Sequence, residues 1–159
     1  MAFDPERFLT AQQHLWSGHA AALHELTAGR KEGHWIWYVF PQIAGLGYSH
    51  QSMTYALGGA EDARAYFAHP VLRQRLCDVT AAVHGHAAAG ASLAYLMGGR
   101  IDAQKLVSSL RLFDQALATA DPDPESDQFS AHAGAILDVA ERQGLPRCTH
   151  TLRAVAARP

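Results

Sequence analysis

The sequence has little of what marks several large classes of protein. Its 159 residues include only two cysteines, Cys77 and Cys148, which lie far apart and outside any Cys-x-x-Cys motif. They do not indicate a disulfide scaffold, and two reduced thiols fit a cytoplasmic protein. The N-terminal residues form no apolar signal core, and no apolar run approaches the length of a membrane span. We therefore expect a soluble, cytoplasmic chain without membrane contact.

Charge is also sparse. Charged residues make up 18% of the chain, and the formal net charge is -2. Because the cations are scattered and form no basic stripe, we expect no binding to extended nucleic acid. The charge pattern does not exclude binding of a single nucleotide. The length and the apolar fraction of 48% are typical of one globular domain with a sizeable core.

Motifs for common cofactors and nucleophiles are missing as well. The chain has no Gly-x-Ser-x-Gly elbow, no phosphate loop and no dinucleotide fingerprint. Ten histidines are present, but His14, His19 and His24 recur every five residues, which turns each about 140° from the last on a helix. They cannot meet at one metal ion, so we expect no metal site and no cofactor.

What the sequence does have is helical periodicity. Apolar residues at spacings of three and four predict an all-α fold, with core stripes through Leu15, Leu76, Leu110 and Ile136. We predict helices over residues 4–26, 52–57, 61–67, 70–83, 93–97, 102–117, 129–140 and 147–157. The connections are short and no repeat is visible, so residues 1–159 should form a single multihelical domain.

The segment from Gly33 to Gln42 has the highest density of aromatic residues. Two of the chain's three tryptophans, Trp35 and Trp37, are separated by a single residue, and Pro41 lies just before Gln42. The segment lacks the two-residue alternation of a half-buried strand. We therefore predict a short buried helix or turn followed by extended chain.

This segment and its flanks form a first candidate ligand site. Its members are a cation, two indoles, an imidazole, an amide and two hydroxyls: Lys31, His34, Trp35, Trp37, Gln42, Ser49 and Ser52. A cation with polar donors could hold an anionic group, and an indole face could stack a base or cover a sugar. In the alternative, the aromatic rings are core and Lys31 stays in solvent. Trp37 is expected to be mainly structural, with about 3–5 kcal/mol lost on truncation to Ala.

A second candidate site lies on the helix that begins near Asp102. At about 100° per residue, Asp102, Lys105 and Ser109 share one flank of the apolar stripe. Lys105 could neutralise an anion, and Asp102 could hold that cation or act as a base. The alternative is an ordinary i,i+3 ion pair at the start of a helix.

Several motifs together resemble domain-of-unknown-function family 1810. They are His34-Trp35-Ile36-Trp37-Tyr38-Val39-Phe40-Pro41-Gln42, Gly45-Leu46-Gly47, His69-Pro70-Val71-Leu72 and Lys105-Leu106-Val107-Ser108-Ser109-Leu110-Arg111-Leu112-Phe113. The resemblance covers residues 4–117, while the C-terminal helices over residues 126–157 match weakly. It implies a rare multihelical fold, typified by a mycobacterial conserved hypothetical protein, but no established reaction. It also implies that Lys105 lies beside residues 31–42.

These observations lead to two hypotheses of function. In the first, the domain binds a small anionic molecule, nucleotide-like or related to ADP-ribose, with hydrolysis left open. Lys31 and Lys105 would then meet the negative charge and serve binding more than folding, while His34 or Asp102 would transfer a proton. In the second, the domain is a non-catalytic protein-interaction module that uses a helix face or residues 48–57. The sequence indicates neither the oligomeric state nor the pathway.

Overall fold

The structure, a computed structural model, describes residues 2–156. This part of the chain forms ten helices: α1 Glu6–Gln12, α2 His19–Ala28, α3 Ile36–Val39, α4 His50–Thr54, α5 Ala60–Ala68, α6 Pro70–Ala88, α7 Leu93–Leu96, α8 Arg100–Leu117, α9 Pro124–Arg142 and α10 Thr149–Ala156. The all-α, multihelical prediction is therefore confirmed. Residue 157, the predicted end of the last helix, lies outside the described residues.

The fold is organised around α8. This helix packs against α3, α5, α7, α9 and α10, while the long helices α6 and α9 pack on each other. Leu76, Leu110 and Ile136 are buried, as their stripes predict. Within residues 2–156, none of the helices combines the length and the apolar character needed to cross a bilayer.

The N-terminal prediction of one long helix is wrong. α1 ends at Gln12 and α2 begins at His19, so the side chain of Leu15 is 75% exposed instead of joining the core. The break depends on Gly18, where an added Cβ would lie 2.3 Å and 2.4 Å from the main-chain oxygens of His14 and Gln12. Only a residue without a side chain allows the chain to fold back so closely.

The segment after the Trp-rich motif is partly as predicted. α3 is the short buried helix expected there, and extended chain follows it. The predicted helix over residues 52–57 is misplaced, because α4 is His50–Thr54 and Leu57 is extended. Leu57 forms a parallel bridge with Ile43, in which its N–H donates to the Gln42 carbonyl at 2.9 Å. The bridge gives the Gln42 carbonyl a hydrogen-bond donor, which it would lack if a helix continued through Leu57.

Candidate functional site

The two candidate sites meet at the carboxylate of Asp102, in the first turn of α8. Lys31 Nζ lies 2.8 Å from Asp102 Oδ2, and Lys105 Nζ lies 3.5 Å from Asp102 Oδ1. One carboxylate therefore bridges two cations from distant parts of the sequence. The predicted juxtaposition of Lys105 with residues 31–42 is confirmed.

Each lysine also lies over one indole of the Trp-rich segment. Lys31 Nζ is 4.9 Å from the centroid of the Trp35 ring, and Lys105 Nζ is 5.2 Å from that of Trp37. Both distances suit a cation–π interaction. We call these five residues the Lys–Trp cluster: Lys31, Trp35, Trp37, Asp102 and Lys105.

Lys31 belongs to the interior of the protein. It is only 6% exposed, its ammonium donates to the carbonyl of Gly33, and its backbone N–H donates to the Leu96 carbonyl at 2.7 Å. Gly98 makes room for this approach, since an added Cβ would lie 2.9 Å from the Lys31 carbonyl oxygen, and its φ of +76° favours glycine. The alternative in which Lys31 stays in solvent is therefore wrong.

Glu25, on α2, is a supporting residue that the sequence analysis missed. Its Oε1 accepts hydrogen bonds from Glu32 N at 2.7 Å, Gly33 N at 2.8 Å and Trp35 Nε1 at 3.0 Å. Burial alone would raise the pKa of Glu25, but these hydrogen bonds and the charge of Lys31 lower it overall. No motif marks Glu25, because its partners become neighbours only when the loop after α2 folds back.

The two indoles differ in exposure and in hydrogen bonding. Trp35 is fully buried, and its Nε1 is satisfied by Glu25. Trp37 is only half-buried, and its Nε1 has no hydrogen-bond partner among residues 2–156. The ring of Trp35 is therefore closed to a ligand in this structure, whereas part of Trp37 is open.

Further unpartnered polar atoms lie on α8. Within the described residues, buried side-chain atoms without a hydrogen bond also include Gln104 Oε1, Ser109 Oγ and Arg111 Nε. Two others, Thr80 Oγ1 and Arg73 Nε, lie on α6, and Arg73 Nε is still 3.3 Å from a Glu125 oxygen in an ion pair. Buried polar atoms usually have partners, so their concentration at Trp37 and α8 is an indication of a site.

The remaining predicted site residues have different environments. His34 is exposed, and its carbonyl accepts from the Tyr38 hydroxyl at 3.2 Å. Gln42 is half-buried and uses its backbone carbonyl in the bridge to Leu57. Ser49 is exposed, and its hydroxyl caps α4 by accepting from Ser52 N at 3.1 Å. The structure thus joins Ser109 and the Lys–Trp cluster through α8 but gives Ser49 a local structural role.

Metal-binding side chains are dispersed in the described part of the chain. No group of three or more His, Cys, Asp or Glu side chains there is arranged to hold a metal ion. His19 pairs with Asp78 at 3.6 Å, and His84 stacks on His132 with ring centroids 4.4 Å apart. Both contacts join helices, since α2 packs on α6 and α6 packs on α9.

The fold and the cluster define an all-α multihelical domain in which a buried lysine is paired with a half-buried aspartate, beside a half-buried indole. The chain belongs to the DUF1810 family, described as a protein family of unknown function, whose sequence model matches residues 2–132. It is similar to Rv1873, a conserved hypothetical protein from Mycobacterium tuberculosis with a crystal structure at 1.38 Å. The two chains are 34% identical, with a TM-score of 0.78 and 97% of each chain covered. Curated proteins gave no significant match.

Proposed function

We propose that this protein binds a small anionic ligand beside Trp37 and Lys105. The main support is the partly exposed side chain of Lys105 beside the half-buried ring of Trp37. Lys105 lies over the same ring. A partly exposed ammonium can donate a charge-assisted hydrogen bond to a carboxylate or phosphate oxygen.

Lys105 is the cation of the cluster that is available to an anion, because Lys31 is matched by Asp102 and by the nearby Glu25. Lys31 and Lys105 contribute two positive charges, and Asp102 contributes one negative charge between them. Lys31 is buried and its ammonium is already engaged by Asp102 and Gly33, so it holds the carboxylate in place. Lys105 has the longer and more exposed contact with Asp102, which leaves it able to meet a ligand.

The ligand class we propose is a nucleotide or a related compound such as ADP-ribose. The open part of the Trp37 ring offers a surface on which a base could stack, while Lys105 would meet a phosphate. Trp35, which is fully buried, then supports Lys31 instead of contacting the ligand. Gln42, half-buried at the end of the Trp-rich segment, is proposed as an additional polar contact.

If the bound ligand is hydrolysed, His34 is the better candidate for proton transfer. Its side chain is exposed, one residue before Trp35 in the sequence, and histidine is the most frequent general acid–base residue. Both oxygens of Asp102 already face ammonium groups. Asp102 is therefore better placed to position Lys105 than to act as a base.

A thermal-shift series tests the binding proposal. We expect AMP, ADP-ribose or inorganic phosphate to stabilise the protein by about 2.7 kcal/mol at a hundredfold excess over its dissociation constant. Lys105→Met should weaken that binding by about 1.5–3 kcal/mol because it removes a charge-assisted hydrogen bond. Arg142→Met, which removes an exposed cation at the end of α9, is the matched control. Binding that survives Lys105→Met unchanged would contradict the proposed site.

One observation favours the protein-interaction alternative. Four large apolar side chains are highly exposed in and near the loops at α2 and α4: Leu15, Trp16, Tyr48 and Met53. Two of them belong to residues 48–57, the segment that this alternative names. A partner protein that is lost with Trp16→Gln and Tyr48→Gln, but retained by Lys105→Met, would favour this second function.

A further inference from the structure

Two histidine rings stack on each other where α6 and α9 pack together. The centroids of the His84 and His132 rings are 4.4 Å apart, and the ring planes are inclined by 24°. Both side chains are half-buried. The two helices have 19 residues each and pack on each other, so the stack joins two long elements of the fold.

The charge of this stack changes between neutral and mildly acidic pH. Histidine has an ordinary pKa of about 6.5, so its side chain takes up a proton in this range. Neutral aromatic rings stack favourably, whereas two protonated rings at such a short distance repel each other. The contact between α6 and α9 therefore weakens when His84 and His132 are both protonated.

The carboxylates nearby are already paired with other groups. The cavity beside His132 is also lined by Asp78 of α6 and Glu125 of α9. Asp78 lies 3.6 Å from the imidazole of His19 on α2, and Glu125 lies 3.3 Å from Arg73 Nε. In the described part of the chain, neither ring of the stack is within ion-pair distance of a carboxylate.

Other ionisable groups around the stack do not compensate its charge. The Cys77 thiol lines the same cavity, but burial raises its pKa to about 11, so it stays uncharged at neutral and acidic pH. Within residues 2–156, no charged side chain of α3, α5 or α8 lines this cavity. Burial, and after it the charge of His84, lowers the pKa of His132 below its ordinary value.

We propose that the His84–His132 stack is an acid-sensitive contact, which holds α9 on α6 at neutral pH and weakens when both rings are protonated. The direction follows from His132, whose pKa is lower in the folded protein than its ordinary value. Its contribution to stability is complete above the ordinary value of about 6.5. It is lost as the pH falls through that value toward the lower, folded-state pKa. This proposal does not depend on the ligand proposed above.

An NMR titration of the histidine ring protons in the full chain tests the coupling between the two rings. His84→Phe keeps a stacked ring and removes its charge. We expect the titration midpoint of His132 to rise by about one pH unit, as for two unit charges 4.4 Å apart in a medium close to water. His86→Phe is the matched control, because His86 is a half-buried imidazole of α6 that lies 3.2 Å from the Thr27 carbonyl instead. This control should leave the midpoint of His132 unchanged. An unchanged midpoint in His84→Phe, or an equal rise in both variants, would overturn the proposal.

Urea denaturation at about pH 7.5 and about pH 5, on either side of the histidine pKa, tests the effect on folding. The wild type should lose stability between the two values, and both His84→Phe and His132→Phe should lose less. His19, whose pKa is also lowered by burial, adds a loss that all these proteins share. The reduction in the double variant should be smaller than the sum of the two single reductions, because each single variant already removes the repulsion. Reductions that add fully would show that the two histidines act separately, against the proposal. His84→Gln serves for both measurements should His84→Phe fail to fold.

Discussion

Two lysine–indole pairs stand side by side in this protein and share one carboxylate, yet they have opposite environments. Around Trp35, the ring is fully buried, its N–H is bonded to Glu25, and its lysine is buried as well. Around Trp37, the ring is half-buried, its N–H has no partner within residues 2–156, and its lysine is partly exposed. The residue types are the same, so the difference arises from the neighbouring elements.

The comparison separates a structural pair from a proposed binding pair. The Trp35 pair is enclosed by α2 and by the turn at Gly98, which closes over the Lys31 backbone. The Trp37 pair lies against α8, and polar atoms remain unsatisfied there. A cation over an indole therefore does not by itself indicate a ligand site, and the proposal for Trp37 depends on the greater exposure of its ring and of Lys105.

The largest expected contrast is between the two indoles. Trp35→Ala should destabilise the protein by about 3–5 kcal/mol, because it removes a fully buried ring and leaves a cavity. Trp37→Ala should cost no more than about 2 kcal/mol, below the value expected from the sequence alone, because the ring is only half-buried. Urea denaturation of both variants measures the difference. Equal losses would show that both rings are core and would remove the basis of the comparison.

A smaller contrast is expected between the two lysines. Lys31→Met should cost about 1.5–3 kcal/mol of stability, since Asp102 loses its shorter ion pair and the carbonyl of Gly33 loses its donor. Lys105→Met should cost less than about 1 kcal/mol, because its ion pair is longer and partly solvated. The sequence alone suggested a small effect for both. Chemical denaturation of the two variants distinguishes these expectations. A larger loss of stability for Lys105→Met than for Lys31→Met would show that Lys105, not Lys31, has the structural role.

The smallest expected effect is on the pH dependence of folding stability, and it concerns only the Trp35 pair. The pKa of Glu25 is lower in the folded protein than its ordinary value, so its stabilising contribution is complete above the ordinary glutamate pKa of about 4.3. It is lost as the pH falls through the lower, folded-state pKa. Stability measured down to about pH 3 should therefore decline less steeply in Glu25→Gln than in wild type. Glu61→Gln, which alters an exposed glutamate on α5, should decline like wild type.

Much of the helical framework could be predicted from local sequence. Pro70 and the stripe through Leu76 identified α6, and the stripe through Leu110 identified α8. The start of α9 was placed too late, at residue 129, although Asp123 caps the helix and Pro124 begins it. The error at Leu15 has a different cause, because the apolar spacing continues through a turn that only the packing of Gly18 reveals.

The candidate site was predictable in part. The family motifs indicated that Lys105 lies near the Trp-rich segment, and the helical spacing placed Asp102 beside Lys105. The burial of Lys31 could not be foreseen, since it depends on Asp102 and Leu96, far away in sequence. No sequence pattern indicated Glu25, because the backbone N–H groups that donate to it come close only when the loop after α2 is folded.

The shared carboxylate of Asp102 has a consequence for mutational tolerance. If Lys105 is replaced, Asp102 keeps its shorter contact with Lys31, so the arrangement has a built-in reserve against a change at Lys105. Replacement of Asp102 offers no such reserve, because two ammonium groups are then left facing each other. For folding, the cluster is thus tolerant of change at Lys105 and fragile at Lys31 and Asp102. Stability alone should therefore permit replacement of Lys105 before it permits replacement of the other two.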